Sequence, residues 1–125
     1  MKKDLHVMVV DDEPIVCERL KPLLEKSGFI VETFTQSSQA IERLKEKKFH
    51  VVVTDLKMKA PTGMDILSFV KKSSPGTQVI LITGYASIEA NREAEAIGAF
   101  DFIAKPFVMK DLAKLVNKAA KKAHI

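Results

Sequence analysis

Asp11, Asp12 and Glu13 follow the apolar run Leu5–Val10, Asp55 follows His50–Thr54, Thr83 closes Gln78–Thr83, and Lys105-Pro106 follows Phe100–Ala104. Continuous rather than alternating apolar runs suit parallel strands covered on both faces. Ligands of an open parallel sheet sit beyond the carboxyl ends of its strands, so carboxylates, a hydroxyl and an ammonium converge on one edge. Asp11, Asp12 and Asp55 carry about −3 together, and Lys105 returns about +1. Clustered carboxylates raise one another's pKa unless a cation joins them. A hard divalent ion with oxygen ligands neutralises the remainder. Mg²⁺ suits the set because it takes few carboxylates and keeps waters for a substrate phosphate, with Mn²⁺ as its substitute. With metal and Lys105 in place such a pocket attracts phosphate. The pattern points to phosphoryl transfer with a carboxylate as the covalent nucleophile.

The elements that must position these groups alternate. A further apolar run, Phe29–Phe34, completes the strand set. Between the runs lie helical patterns. Val16, Leu20, Leu23 and Leu24 follow the 3.6 period, with Pro14 in the first turn and Gly28 as a stop. Ser37 or Ser38 is placed to cap the next helix, whose apolar face is Ala40, Ile41 and Leu44. Ile66, Leu67 and Val70 mark a third helix, ended by Ser73-Ser74-Pro75-Gly76. A fourth begins at Ser87 and ends at Gly98, and Leu112, Leu115, Val116 and Ala119 mark a fifth. Alternating strand–helix units predict an α/β fold, a doubly wound five-stranded parallel sheet with five helices on both faces.

The chain is expected to be one domain over residues 1–125, with its core at about 5–118. Hydrophobic residues at 46% and charged residues at 29% are a globular balance and exclude a disordered or collagen-like chain. Lone Cys17 forbids an internal disulfide and fits a reducing compartment. It reads as a small buried side chain of the first helix. No apolar run approaches the roughly 20 residues of a membrane span, and Met1-Lys2-Lys3-Asp4 lacks the apolar region of a signal peptide. A cytoplasmic location follows as the expectation. The net charge of +4 permits attraction to acidic partners without requiring it. Lys110, Lys114, Lys118, Lys121 and Lys122 run at helical spacing and read as a solvated face. No aromatic interleaving or recognition-helix pattern supports specific nucleic-acid contact. His6, His50 and His124 have no ligand or catalytic spacing.

Val10-Asp11-Asp12-Glu13-Pro14, Thr54-Asp55-Leu56-Lys57-Met58, Leu81-Ile82-Thr83-Gly84-Tyr85 and Phe102-Ile103-Ala104-Lys105-Pro106-Phe107 together resemble the receiver domain of two-component response regulators, from about Leu5 to about Lys118. The wording is similar to receivers attached to bacterial transcription activators. The resemblance implies a flavodoxin-like sheet of order 2-1-3-4-5. It implies that Asp55 is the phosphoacceptor, taking its phosphoryl group from the histidine of a partner sensor kinase in a phosphorelay. It gives Mg²⁺ to Asp12 directly, to Asp11 through water, to Asp55, and to the backbone carbonyl of Lys57. Lys105 then holds one phosphoryl oxygen and Thr83 donates its hydroxyl to another. Phe102 matches the switch aromatic that turns inward with Thr83, and the Lys105–Pro106 peptide is cis. Output leaves through the fourth helix, fifth strand and fifth helix, to an output domain, a partner protein or a second copy. Such a domain catalyses only its own phosphorylation and dephosphorylation. No effector domain is expected within these residues.

Departures from the family pattern are local. Lys59 stands where Pro is usual, four residues after Asp55, with Pro61 two residues later and Gly63 at the usual Gly. Val108 replaces a capping residue before the last helix, leaving Asp111 to complement the dipole. Lys57 and Tyr85 each stand two residues beyond a site residue; the resemblance implies that these positions flank the path of the hydrolytic water, and they are expected to lengthen the phosphoryl lifetime. Other functions fit less well. A phosphatase with an aspartyl nucleophile needs a second acid where Lys57 stands, and a flavin module needs Ser, Thr or Gly donors where Asp11-Asp12-Glu13 stand. A receiver that signals without phosphorylation is separated from the leading reading only by experiment.

Overall fold

The computed structural model describes residues 4–84 and 88–125. Its centre is the valine-rich set of runs, which form β1 (His6–Val10), β2 (Ile30–Phe34), β3 (Val51–Asp55), β4 (Gln78–Thr83) and β5 (Asp101–Ala104). All pairings are parallel and the order is β2-β1-β3-β4-β5. The parallel sheet is the one the alternating pattern predicts, and its order is the one the family resemblance implies. Most strands begin one residue inside their apolar runs, because the first residue joins the ladder without being flanked on it. The Ile30 N–H donates to the Leu5 carbonyl and the Phe100 N–H to that of Val79.

Connecting them are α1 (Pro14–Lys26), α2 (Ser37–Glu46), α3 (Gly63–Ser73), α4 (Ile88–Ile97) and α5 (Met109–Lys122). Side chains alternate across a strand, so each run feeds two cores. Val7, Val9, Val53, Ile80 and Ile82 meet Leu20 and Leu24 of α1 and Leu112 and Val116 of α5. Met8, Val10, Val52, Val79 and Leu81 meet Ala40 of α2, Ile66 and Leu67 of α3, and Ala94 of α4. Each fully buried Val, Leu or Ile contributes about 1.5–3 kcal/mol relative to an exposed one. Cys17 lies buried in the first of these cores, where burial pushes its thiol pKa up.

Helix ends differ in part from the sequence expectation. Gln36, not a serine, occupies the N-cap of α2 without a side-chain cap. Ser37 lies inside the helix because its hydroxyl is used elsewhere, donating to the Lys59 carbonyl at 3.2 Å. The start of α4 expected at Ser87 falls outside the described residues. Val108 precedes α5 with no side-chain cap, and Asp111 lies in the first turn. At α3 a reciprocal capping box forms: Thr62 Oγ1 accepts from the Asp65 N–H at 3.2 Å, and Asp65 Oδ2 accepts from the Thr62 N–H at 2.8 Å. The Thr-x-x-Asp spacing was the available signal for it.

The loop from β3 returns to α3 through a close approach. The Gly63 N–H donates to the Leu56 carbonyl at 3.1 Å. A Cβ at Gly63 would press on the Asp55 carbonyl oxygen and stand 2.7 Å from Leu56 Cα, both backbone. Gly63→Ala is therefore expected to lower stability by about 1–3 kcal/mol, the range for forced overpacking, seen as a lower urea midpoint. A midpoint equal to wild type would mean that the loop yields without cost.

Candidate functional site

Hydrogen bonds that continue beyond the strands arrange the carboxyl edge of the sheet. The Asp11 N–H donates to the Phe34 carbonyl at 3.0 Å, the Leu56 N–H to Ile82 at 2.8 Å, and the Lys105 N–H to Thr83 at 2.7 Å. These bonds prolong the ladder by one residue at β1, β3 and β5 and aim the next side chains over the edge. Asp11, Asp12 and Asp55 each bring a carboxylate oxygen within 4.8 Å of the others. Asp11 is fully buried and Asp55 is 6% exposed, whereas Asp12 faces solvent.

Lys105 joins them. Its Nζ lies 3.2 Å from Asp55 Oδ2, 3.3 Å from Asp11 Oδ2 and 2.6 Å from Glu13 Oε1. Burial alone would lower its pKa. The hydrogen bond to Glu13 and the charges of Asp11 and Asp55 outweigh burial and hold it well above the ordinary lysine value. For Asp11, burial raises the pKa first and the Asp55 charge adds to it. The Glu13 N–H, 2.9 Å from Asp11 Oδ1, and the Lys105 ammonium pull the other way, and the net shift is upward.

A metal fits this donor set. Asp11 Oδ2 is buried with only the Lys105 ammonium, 3.3 Å away, near it, and the three acidic groups offer oxygen ligands to a hard cation. The Lys57 N–H donates to Asp55 Oδ1 at 3.2 Å, folding the residue after next back toward the site. Thr83 is buried at the end of β4, paired with Ala104. Phe102 pairs with Leu81 two residues earlier on the same face and packs, half-buried, against the core that contains Met8 and Val10. Both the Lys105–Pro106 and Ala60–Pro61 peptides are cis. Asp11, Asp12, Asp55, Lys57, Thr83 and Lys105 thus gather at one edge, with Phe102 beneath it. Tyr85 lies outside the described residues.

Sequence reasoning singled out Glu13 only as a residue of the strand end. Its contact with Lys105 spans 92 positions, and no spacing rule encodes it. The cis bond at Ala60–Pro61 likewise had no signal beyond the displaced proline.

Residues 7–117 match the response regulator receiver domain family. The chain is 32% identical over 122 residues to the transcriptional regulatory protein ZraR of Escherichia coli O157:H7, covering 98% of this chain and 28% of that protein. It spans about a quarter of the length of the first curated relatives it matches. A CheY-like receiver domain protein from Methanospirillum hungatei JF-1 superposes with a TM-score of 0.89 at 26% identity, covering 95% of each chain. The beryllofluoride-activated NtrC4 receiver domain dimer superposes with a TM-score of 0.85 at 33% identity, over 93% of this chain and 96% of that one.

Because its pKa is raised, native Asp11 holds its proton more tightly than the unfolded chain does. Stability from this group is fully present below the ordinary aspartate value and is lost as pH rises through the raised one. At pH 7 the ionised carboxylate is a cost. Asp11→Asn is expected to raise the thermal midpoint at pH 7 by about 4 °C, or about 1 kcal/mol for a domain of this size, with the gain shrinking toward pH 4. Mg²⁺ is expected to raise the wild-type midpoint more than that of the variant. A lower midpoint for Asp11→Asn at pH 7 would show that Lys105 more than offsets the burial.

Proposed function

The chain belongs to the response regulator receiver family, and from that premise we propose that it is a phosphorylation switch with Asp55 as the acceptor. The observation that carries the reading is the buried Asp11–Asp55 carboxylate pair with Lys105 Nζ within 3.3 Å of both. In the proposed reaction an Asp55 carboxylate oxygen attacks the phosphorus of a phosphohistidine on a sensor kinase. The P–N bond breaks and the imidazole leaves. Hydrolysis later breaks the new P–O bond and returns the carboxylate.

Mg²⁺ would be held by Asp11, Asp12, Asp55 and the Lys57 carbonyl, and when bound it supplies positive charge against the phosphoryl oxygens. Lys105 is proposed to bind one phosphoryl oxygen and Thr83 to donate its hydroxyl to another. Thr83 and Phe102 lie on the same side of neighbouring strands, two residues apart in register, which supports Phe102 as the aromatic that follows Thr83. The affected surface would be α4–β5–α5, meeting an output domain, a partner protein or a second copy. The beryllofluoride-activated NtrC4 receiver domain is a dimer, which supports a second copy as one of these partners. The exposed lysines of α5 are read as solvated, without specific nucleic-acid contact. Among the described residues no helix is long and apolar enough to cross a membrane, and the proposed location is the cytoplasm.

Two measurements check this reading. Intact mass after incubation with acetyl phosphate is expected to show one phosphoryl adduct that requires both Mg²⁺ and Asp55, and is lost in Asp55→Asn. No adduct on folded protein in the presence of Mg²⁺ would favour a receiver that signals without phosphorylation. Lys57 and Tyr85 are proposed to crowd the path of the hydrolytic water, so Lys57→Asn combined with Tyr85→Ala is expected to shorten the phosphoryl lifetime. An unchanged dephosphorylation rate would sink that role.

A further inference from the structure

The nearest partner of Lys105 is neither of the two buried aspartates but Glu13, at 2.6 Å. Asp11 and Asp55 have almost no exposed surface, and backbone N–H groups fix both, those of Glu13 and Lys57 respectively. Glu13 differs. Its side chain is 56% exposed, and it occupies the N-cap of α1 without making a side-chain cap. A cleft of about 360 Å³ lined by Glu13, Val16, Lys105, Pro106, Phe107 and Met109 opens beside the ion pair, leaving room for the carboxylate to turn away. Of the three acids around the ammonium, only Glu13 can leave at little cost in burial or hydrogen bonding.

We propose that Glu13 is a positioning residue that holds Lys105 in the resting state and competes with the incoming phosphoryl group for it. The proposal rests on Asp55 and Lys105 acting as assigned above. A phosphoryl oxygen binding Lys105 displaces the Glu13 carboxylate into solvent. Glu13 also adds a negative charge at the mouth of a site that must admit an anion. Both effects weaken phosphoryl binding and leave the chemistry at Asp55 untouched, so they belong to affinity rather than to maximal rate. The resting tether thereby sets how much phosphodonor is needed to switch the domain.

The test uses beryllofluoride as a phosphoryl mimic, with Mg²⁺ present, on wild type and Glu13→Gln, which keeps the shape and removes the charge. An exposed ion pair is worth little, so the variant is expected to bind beryllofluoride about three-fold more tightly. It is also expected to need about three-fold less acetyl phosphate for half-maximal phosphorylation, with the maximal rate unchanged. The Lys105 Nζ resonance is expected to differ between the two proteins when free and to coincide when both carry beryllofluoride. A merely structural role for Glu13 would leave affinity unchanged or weaken it, never tighten it. Equal or weaker binding by a folded variant overturns the proposal while an Asp55 adduct in wild type keeps the receiver reading. If wild type neither binds beryllofluoride nor forms the adduct, the receiver reading fails and this proposal with it.

Discussion

Like charges crowded at one edge of the sheet are the constraint on which the rest of this structure depends. Three carboxylate oxygens lie within 4.8 Å of one another, and one of the residues, Asp11, has no exposed surface at all. Mutual repulsion and desolvation both oppose that arrangement. Lys105 relieves part of it, reaching two of these carboxylates and Glu13 besides. The remainder is carried by the two apolar cores, which hold β1 and β3 side by side whatever their last residues prefer. The central strands are fully buried along almost their whole length, and this excess of apolar burial lets the edge keep an arrangement that is locally unfavourable.

The same geometry explains how a local bond could be felt at a distance. Lys105 is bonded through its backbone to Thr83 and through its side chain to the residue after β1, Asp11, and the last residue of β3, Asp55. In the proposed reading, a change in what Lys105 holds would act on the end of β5. Phe102 lies three residues before Lys105, on β5, half-buried against a core that includes Ala94 of α4. Among the described residues, the α4 side chains packed against that core, Ala90, Ala94 and Ile97, include two alanines. The two alanines bury less apolar area than the leucines and valines of α1 and α5.

Fold and site were legible to different depths, for physical reasons. Parallel strands buried on both faces leave an unbroken apolar signature, and chemistry at their carboxyl ends follows from topology, so Asp11, Asp12, Asp55, Thr83 and Lys105 stood out as a set. Local signals at helix ends were less decisive. Ser37 has the right chemistry for a cap, but a tertiary partner, the Lys59 carbonyl, took its hydroxyl. The Thr62–Asp65 box was written in the chain at the right spacing and went unread. What no pattern could supply was the choice of Glu13 by Lys105, because it depends on how far a flexible side chain reaches across β3 and β4 to the loop after β1.

Global and local charge act in opposite directions here. The chain is basic overall, with a formal charge of +4, yet Asp11, Asp12, Glu13 and Asp55 against Lys105 leave the site near −3 before any metal binds. An anion at a distance meets the attractive field of the whole surface, to which exposed Lys57 and Lys59 beside the edge contribute. Within roughly 8–10 Å, where screening no longer hides individual groups, it meets the acids instead. Attraction that brings a donor close thus gives way to repulsion at contact. A divalent cation would reverse most of that repulsion, and release of Lys105 from Glu13 would reverse more. Charge arranged in this way favours an edge that is approached readily and committed to only when both conditions are met.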